Sequence, residues 1–226
     1  LKKDLIILMA STLTQRNAEI SLKALQLGAT DYIPKPSTDS LHQFEDDLKF
    51  KISGFTKRII KAKQDRADEQ KAQAQKSSTP VAANYDAKPY NISRLDAVVI
   101  GSSTGGPQAL VDFLSDISEH VSCPIFIAQH MPPVFTEMLA KNLAKISGSA
   151  CKEGEHGEVV QNRTIYVAPG DYHMSVKTKG VNRVIQLDQN APENFCRPSV
   201  NPLFRTASDT YGKNLIAFML TGMGSD

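Results

Sequence analysis

The sequence predicts an α/β protein built mainly on a parallel, doubly wound sheet. Short, unbroken apolar runs such as Ala97–Ile100, Ile125–Ala128 and Leu215–Leu220 suit strands buried on both faces. Each of the first two is followed by a glycine- or proline-marked turn and then by apolar residues at helical spacing, the signature of βα units. The polar residues with chemical potential collect directly after these runs, where the carboxyl ends of parallel strands open into a crevice.

The first run, Asp4–Ala10, predicts a strand, and Ala18, Leu22, Leu25 and Leu27 predict a helix that Gly28 ends. Asp31–Ile33 predicts a second strand, Pro34-Lys35-Pro36 a turn, and the stretch from about Asp39 to Ile52 a more polar helix. From Phe55 to Arg94 the composition shifts to a charged, Gln- and Ala-rich tract and then to a turn-forming stretch, which reads as an interdomain linker. Ala, Gln, Lys and Glu favour helix, so its first half also suits a continuation of the preceding helix. The expected organisation is therefore a first domain over 1–55, a linker over 56–93 and a second domain over 94–226.

In the second domain Ala97–Ile100 is a strand, and Ala109, Leu110, Phe113 and Leu114 form the inner face of a helix begun near Pro107. Pro124–Ala128 is the next strand, followed by Gln129-His-Met-Pro-Pro133 and a helix through Phe135, Met138, Leu139 and Leu143. From about Ala150 to Asp188 the pattern is β-rich, with a strand at Thr164–Ala168 and a hairpin pairing Met174–Lys177 with Val184–Leu187 around Lys179-Gly180. Pro202 suits the start of a helix carrying Leu203, Phe204 and Ala207, and the last strand runs into Thr221-Gly-Met-Gly-Ser-Asp226.

Composition removes several function classes. With 226 residues, 41% of them hydrophobic and a net charge of +2, the chain has material for one large or two modest globular domains and no basic patch for nucleic acid. Three cysteines without a C-x-x-C predict neither a disulfide framework nor a zinc site, consistent with the cytoplasm. No apolar run approaches the roughly 18 residues of a membrane span, and the N-terminus carries no signal-peptide pattern.

The stretch Gly101-Ser-Ser103-Thr-Gly105 matches the G-x-S-x-G elbow, in which flanking glycines let a serine stand on a sharp strand-to-helix turn. By itself it fits a capped βα loop equally well. A dinucleotide phosphate loop is disfavoured, because Ser103 stands where the second glycine is needed, and no Gly-Lys-Ser/Thr follows for a P-loop. His130 and Asp226, each beyond another strand's end, supply the partners an acyl-transfer nucleophile requires. Ser103 is then the nucleophile, His130 the base and Asp226 the group that orients the imidazole, with backbone N–H groups at Thr104 and Met223 as oxyanion donors. His173 and His156 are the other histidine candidates. The chain order Ser, His, Asp differs from that of the α/β-hydrolases.

Two resemblances follow. Ser11, Gly28-Ala-Thr-Asp-Tyr32 and Lys35-Pro36 resemble the second half of a flavodoxin-like response-regulator receiver, here a partial β-α-β-α, in which the hydroxyl and lysine contact a phosphorylated aspartate and the aromatic at Tyr32 reports the switch. The whole chain, through Ile100-Gly-Ser-Ser-Thr-Gly-Gly-Pro107, Gln129-His-Met-Pro-Pro133, Tyr166-Val-Ala-Pro-Gly-Asp171, Arg197-Pro-Ser-Val200 and Thr221-Gly-Met-Gly-Ser-Asp226, resembles the chemotaxis protein-glutamate methylesterases. That resemblance implies a triad of Ser103, His130 and Asp226 acting on methyl-glutamyl and certain glutaminyl side chains of the cytoplasmic bundles of chemoreceptors. It implies control by a chemotaxis histidine kinase through receiver phosphorylation, with no cofactor for the ester chemistry. Mg²⁺ serves the phosphorylation in the family, whose acidic pocket and acceptor aspartate are not among these 226 residues, so phosphorylation at the family site is not expected here. The family's chain continues past Asp226, and reduced activity is expected without that continuation. A catalytically silent module that binds receptors or the kinase is the alternative, and a nucleotide-dependent oxidoreductase a distant third.

Overall fold

The computed structural model describes residues 5–12, 14–36, 41–75 and 94–222. The chain divides into two compact units, one of residues 1–37 together with 92–226 and one of residues 38–91.

The larger unit begins with β1 (Leu8–Ser11), α1 (Gln15–Gln26) and β2 (Asp31–Pro34). β1 and β2 pair in parallel, with Ser11 opposite Pro34. The Thr14 hydroxyl caps α1 by accepting from the Asn17 N–H at 3.3 Å. Next come β3 (Ala97–Ser102), α3 (Gly106–Ile117), β4 (Ile125–Gln129), α4 (Phe135–Ser147), β5 (Ala150–Glu153) and β6 (Thr164–Val167). The antiparallel hairpin of β7 (His173–Lys179) and β8 (Asn182–Asp188) follows, then α5 (Val200–Tyr211) and β9 (Leu215–Thr221). β5, β6, β4, β3 and β9 lie in that order in one sheet, every neighbouring pair parallel. The expected α/β class, parallel sheet and hairpin are therefore present.

Alternation along each strand divides the core between the two faces of this sheet. Val98, Ile100, Ile125, Ile127, Ile165 and Val167 join the cluster containing α1, α3 and α4 residues such as Leu22, Leu110 and Leu139. Ala97, Val99, Phe126, Ala128 and Tyr166 join the one formed by α5 and the hairpin, with Leu203, Met174 and Ile185. Helices thus cover both faces, the hairpin sharing one of them. β4 lies on one side of β3 and β9 on the other, so the carboxyl end of β3 opens at a reversal of strand order, where α/β sheets place ligands.

The second unit contains α2, Leu41–Gln75, a helix of 35 residues. It runs through the boundary expected at Phe55 and takes in the first part of the expected linker, because the residues after Gly54 are dominated by strong helix formers with no proline among them. Among the described residues, no helix is long and apolar enough to cross a membrane.

Candidate active site

Strand register alone brings Ser103 and His130 together. Ser102 and Gln129 are paired partners at the carboxyl ends of β3 and β4, and neighbouring strands lie about 4.8 Å apart. The next residue on each chain is therefore delivered to the same spot. The His130 N–H donates to the Ser102 carbonyl at 3.2 Å, and His130 Nδ1 stands 3.1 Å from Ser103 Oγ. Cys196 Sγ, from the segment before α5, lies 3.4 Å from the same nitrogen.

The turn carrying Ser103 is held from three sides. The buried Gln129 side chain accepts from Ser102 Oγ at 2.7 Å through Oε1 and donates through Nε2 to the carbonyls of Ser103 and His130 at 2.9 and 3.2 Å. From β9, the Thr221 carbonyl accepts the Ser103 N–H at 2.9 Å, and its hydroxyl donates to the Thr104 carbonyl at 2.7 Å. A register shift between Gly101 and Ser102 marks the bulge where β9 meets this turn. On the third side, Thr104 Oγ1 donates to Asp31 Oδ2 of β2 at 2.8 Å, both residues about 95% buried.

Gly106 opens α3 where no larger residue fits, since a Cβ there would lie 1.9 Å from Gln129 Oε1. Gly105, at φ 75°, takes the left-handed step into the helix. The N–H groups of Thr104 and Gly105 have no acceptor among the described residues, and they lie at a helix N-terminus, the arrangement an oxyanion requires. Asp226 and Met223 lie outside the described residues.

Two loops frame the other side. Gly170 comes so close to the Pro132–Pro133 peptide that a Cβ would meet the Pro133 nitrogen at 2.1 Å, and its N–H donates to the buried Thr136 hydroxyl at 2.9 Å. Arg197 ties the segment before α5 to the Asp171 turn, donating to Asp171 Oδ1 at 3.0 and 2.5 Å and to the carbonyls of Gln189 and Asn190 at 2.9 and 3.0 Å.

The other histidines lie elsewhere. His173 is buried, its Nδ1 accepting from the Ser199 N–H and its Nε2 facing the Ala191 carbonyl, both at 3.2 Å, so its two partners fix one tautomer and leave it a structural role. His156 Nδ1 lies 3.0 Å from the Leu187 carbonyl on β8. Of the residues expected to switch, Ser11 and Lys35 sit at the carboxyl ends of β1 and β2, joined by the Lys35 N–H to Ser11 carbonyl bond at 2.7 Å, with the lysine side chain exposed. Tyr32 is buried, stacked on Phe135 of α4 with centroids 4.5 Å apart and planes 7° off parallel. A hydroxyl and an ammonium do not supply the carboxylate oxygens Mg²⁺ requires, and no acidic, His or Cys cluster among the described residues could hold a metal.

Sequence reasoning did not assign roles to Gln129, Thr221, Asp31 or Cys196. Gln129 carried a signal, as an amide ending an otherwise apolar strand. Asp31 carried none, since its contact spans 73 residues.

The family model for the CheB methylesterase matches residues 98–226. A protein-glutamate methylesterase/protein-glutamine glutaminase of Rhodopseudomonas palustris (strain BisB5) is 44% identical over 236 residues, covering 100% of this chain and 61% of that protein. A protein of the same name, numbered 2, from Caulobacter vibrioides is 42% identical over 229 residues, covering 100% and 63%. The chain thus spans less than two thirds of the length of these curated relatives. The crystal structure of the Thermotoga maritima CheB methylesterase catalytic domain superposes with a TM-score of 0.56 at 40% identity, covering 58% of this chain and 70% of that one.

Proposed function

Because the chain belongs to the CheB methylesterase family, we propose that it hydrolyses glutamate methyl esters, and deamidates specific glutamines, on the cytoplasmic domains of chemoreceptors. The observation that carries this reading is the 3.1 Å approach of Ser103 Oγ to His130 Nδ1 at adjacent strand ends.

The reaction is a double displacement. Ser103 Oγ bonds to the side-chain carbonyl carbon as its proton passes to His130. The oxygen that becomes negative is met by the N–H groups at Thr104 and Gly105, and the Met223 N–H is assigned as a further donor. Collapse breaks the bond to the methoxy oxygen, or to the amide nitrogen, and the proton on His130 leaves with it as methanol or ammonia. Water then attacks the acyl-serine, His130 again taking the proton and giving it back to Ser103 Oγ as the acyl bond breaks and glutamate is released. Asp226 is assigned the orienting carboxylate. Support comes from Thr221, five residues earlier, which already bonds the Ser103 turn. The chemistry uses no cofactor.

Regulation by a chemotaxis histidine kinase through the β1–β2 segment, in the cytoplasm, belongs to the same reading. Its support is the bond from Thr104 to Asp31 and the stacking of Tyr32 on Phe135, which connect that segment to the elements bearing Ser103 and His130.

Methanol release from methylated receptor, followed with labelling by a serine-directed acylating probe, tests the assignment. Ser103→Ala is expected to lower release by at least about 10⁴-fold and to abolish labelling. Receptor capture by the unaltered chain without methanol release would leave a binding module in place of an enzyme, and release that persists in Ser103→Ala would remove Ser103 as the nucleophile.

A further inference from the structure

Residues 193–196 form a tight turn beside the site. The Cys196 N–H donates to the Glu193 carbonyl at 3.0 Å and the Glu193 N–H to the Cys196 carbonyl at 3.2 Å. Both central residues have positive φ, 49° at Asn194 and 65° at Phe195, the pattern of a type I′ turn. Such turns favour Asn-Gly, and here phenylalanine stands in the glycine position. A bulky residue in the left-handed region is strained. Phe195 recovers nothing by burial, for it is 99% exposed.

The turn is nevertheless firmly held. Arg205 of α5 donates to both carboxylate oxygens of Glu193 at 2.9 and 2.5 Å, and this contact holds the Glu193 carboxyl below the ordinary glutamate range. Beyond the turn, Arg197 makes the four hydrogen bonds to the 171 and 189–190 segments described above. Cys196, one residue from Phe195, reaches to 3.4 Å from His130 Nδ1. A strained, fully exposed aromatic on a braced turn next to the base is an outlier of the kind that collects at functional sites.

We propose that Phe195 is a specificity-determining residue that docks against the protein substrate, packing on apolar side chains that share a helical face with the reacting glutamyl group. This rests on the methylesterase reading above. On a helix, the residues three and four positions from the reacting side chain are its neighbours. With Cys196 Sγ 3.4 Å from His130 Nδ1, the turn that carries Phe195 borders the crevice that such neighbours approach when the reacting side chain enters toward Ser103. Truncation would remove a contact that only a protein substrate can make.

The test compares kcat/KM on the methylated cytoplasmic fragment of a chemoreceptor with kcat/KM on a small aryl acetate, in the full chain. Phe195→Ala is expected to lower the ratio of the two by about 10- to 100-fold, the effect of burying one phenyl side chain. The loss should fall on KM for the receptor, and Phe195→Leu should recover most of it. An unchanged ratio, equal losses on both esters, or a leucine variant as poor as alanine would overturn the assignment. If the unaltered chain releases no methanol from receptor in a Ser103-dependent way, the reading of the reaction falls and this inference with it. Ser103-dependent release with an unchanged ratio removes Phe195 alone.

Discussion

The two turns that meet at His130 solve opposite problems. The Ser103 turn is built by leaving side chains out, with Gly106 giving room to Gln129 and Gly105 taking the left-handed step. Its polar groups are tied to β4, β9 and β2. The 193–196 turn keeps a large side chain where glycine would cost less, and presents it to solvent. Catalytic geometry tolerates little displacement, whereas recognition of a large surface needs a projecting contact, so the same crevice carries both a packed turn and a strained, exposed one.

Adding one methyl group to the packed turn should have the largest effect. Gly106→Ala must displace Gln129 or the Ser102 side chain, 1.9 and 2.9 Å from the new Cβ. Overpacking of this kind costs about 1–3 kcal/mol, and a shift of Ser103 of about 1 Å costs on the order of 10²-fold in kcat. Thermal melting and single-turnover acylation would register both, and an alanine variant with unaltered kcat would show that the turn is looser than its contacts imply. A smaller loss is expected from Thr104→Val, which deletes the buried bond to Asp31 at a cost of about 1–2 kcal/mol, read as a shift in the denaturation midpoint. The smallest change is expected at the exposed turn and with the opposite sign. Phe195→Gly relieves about 1–2 kcal/mol of backbone strain, partly offset by the greater freedom of glycine in the unfolded chain, so Tm should hold steady or rise slightly. A fall of several degrees would mean that Phe195 is buried in solution and that the contrast between the turns is false.

Sequence reasoning read the two turns unequally. The parallel sheet was legible because each strand is a short β-branched run with a turn and a helix behind it, and Ser103 and His130 were legible because both directly follow such runs. Strand order was not, so nothing indicated that Ser102 pairs with Gln129 on one side and Thr221 on the other. The 193–196 turn was missed because Asn-Phe lacks the glycine that marks a type I′ turn, and its stabilising partner Arg205 lies in the following helix. The apolar pattern of α2 fades near Ile52, and it was helix propensity in the first half of the following tract that pointed to the continuation observed as far as Gln75.

The bond between Thr104 and Asp31 has a consequence that runs in both directions. Binding equilibria that share such a bond are linked reciprocally: whatever factor a change near Ser11 and Lys35 imposes on substrate binding at the Ser103 turn, substrate binding imposes in return on that change. Any coupling carried by this bond would therefore let occupancy of the crevice act on the β1–β2 segment as much as that segment acts on the crevice.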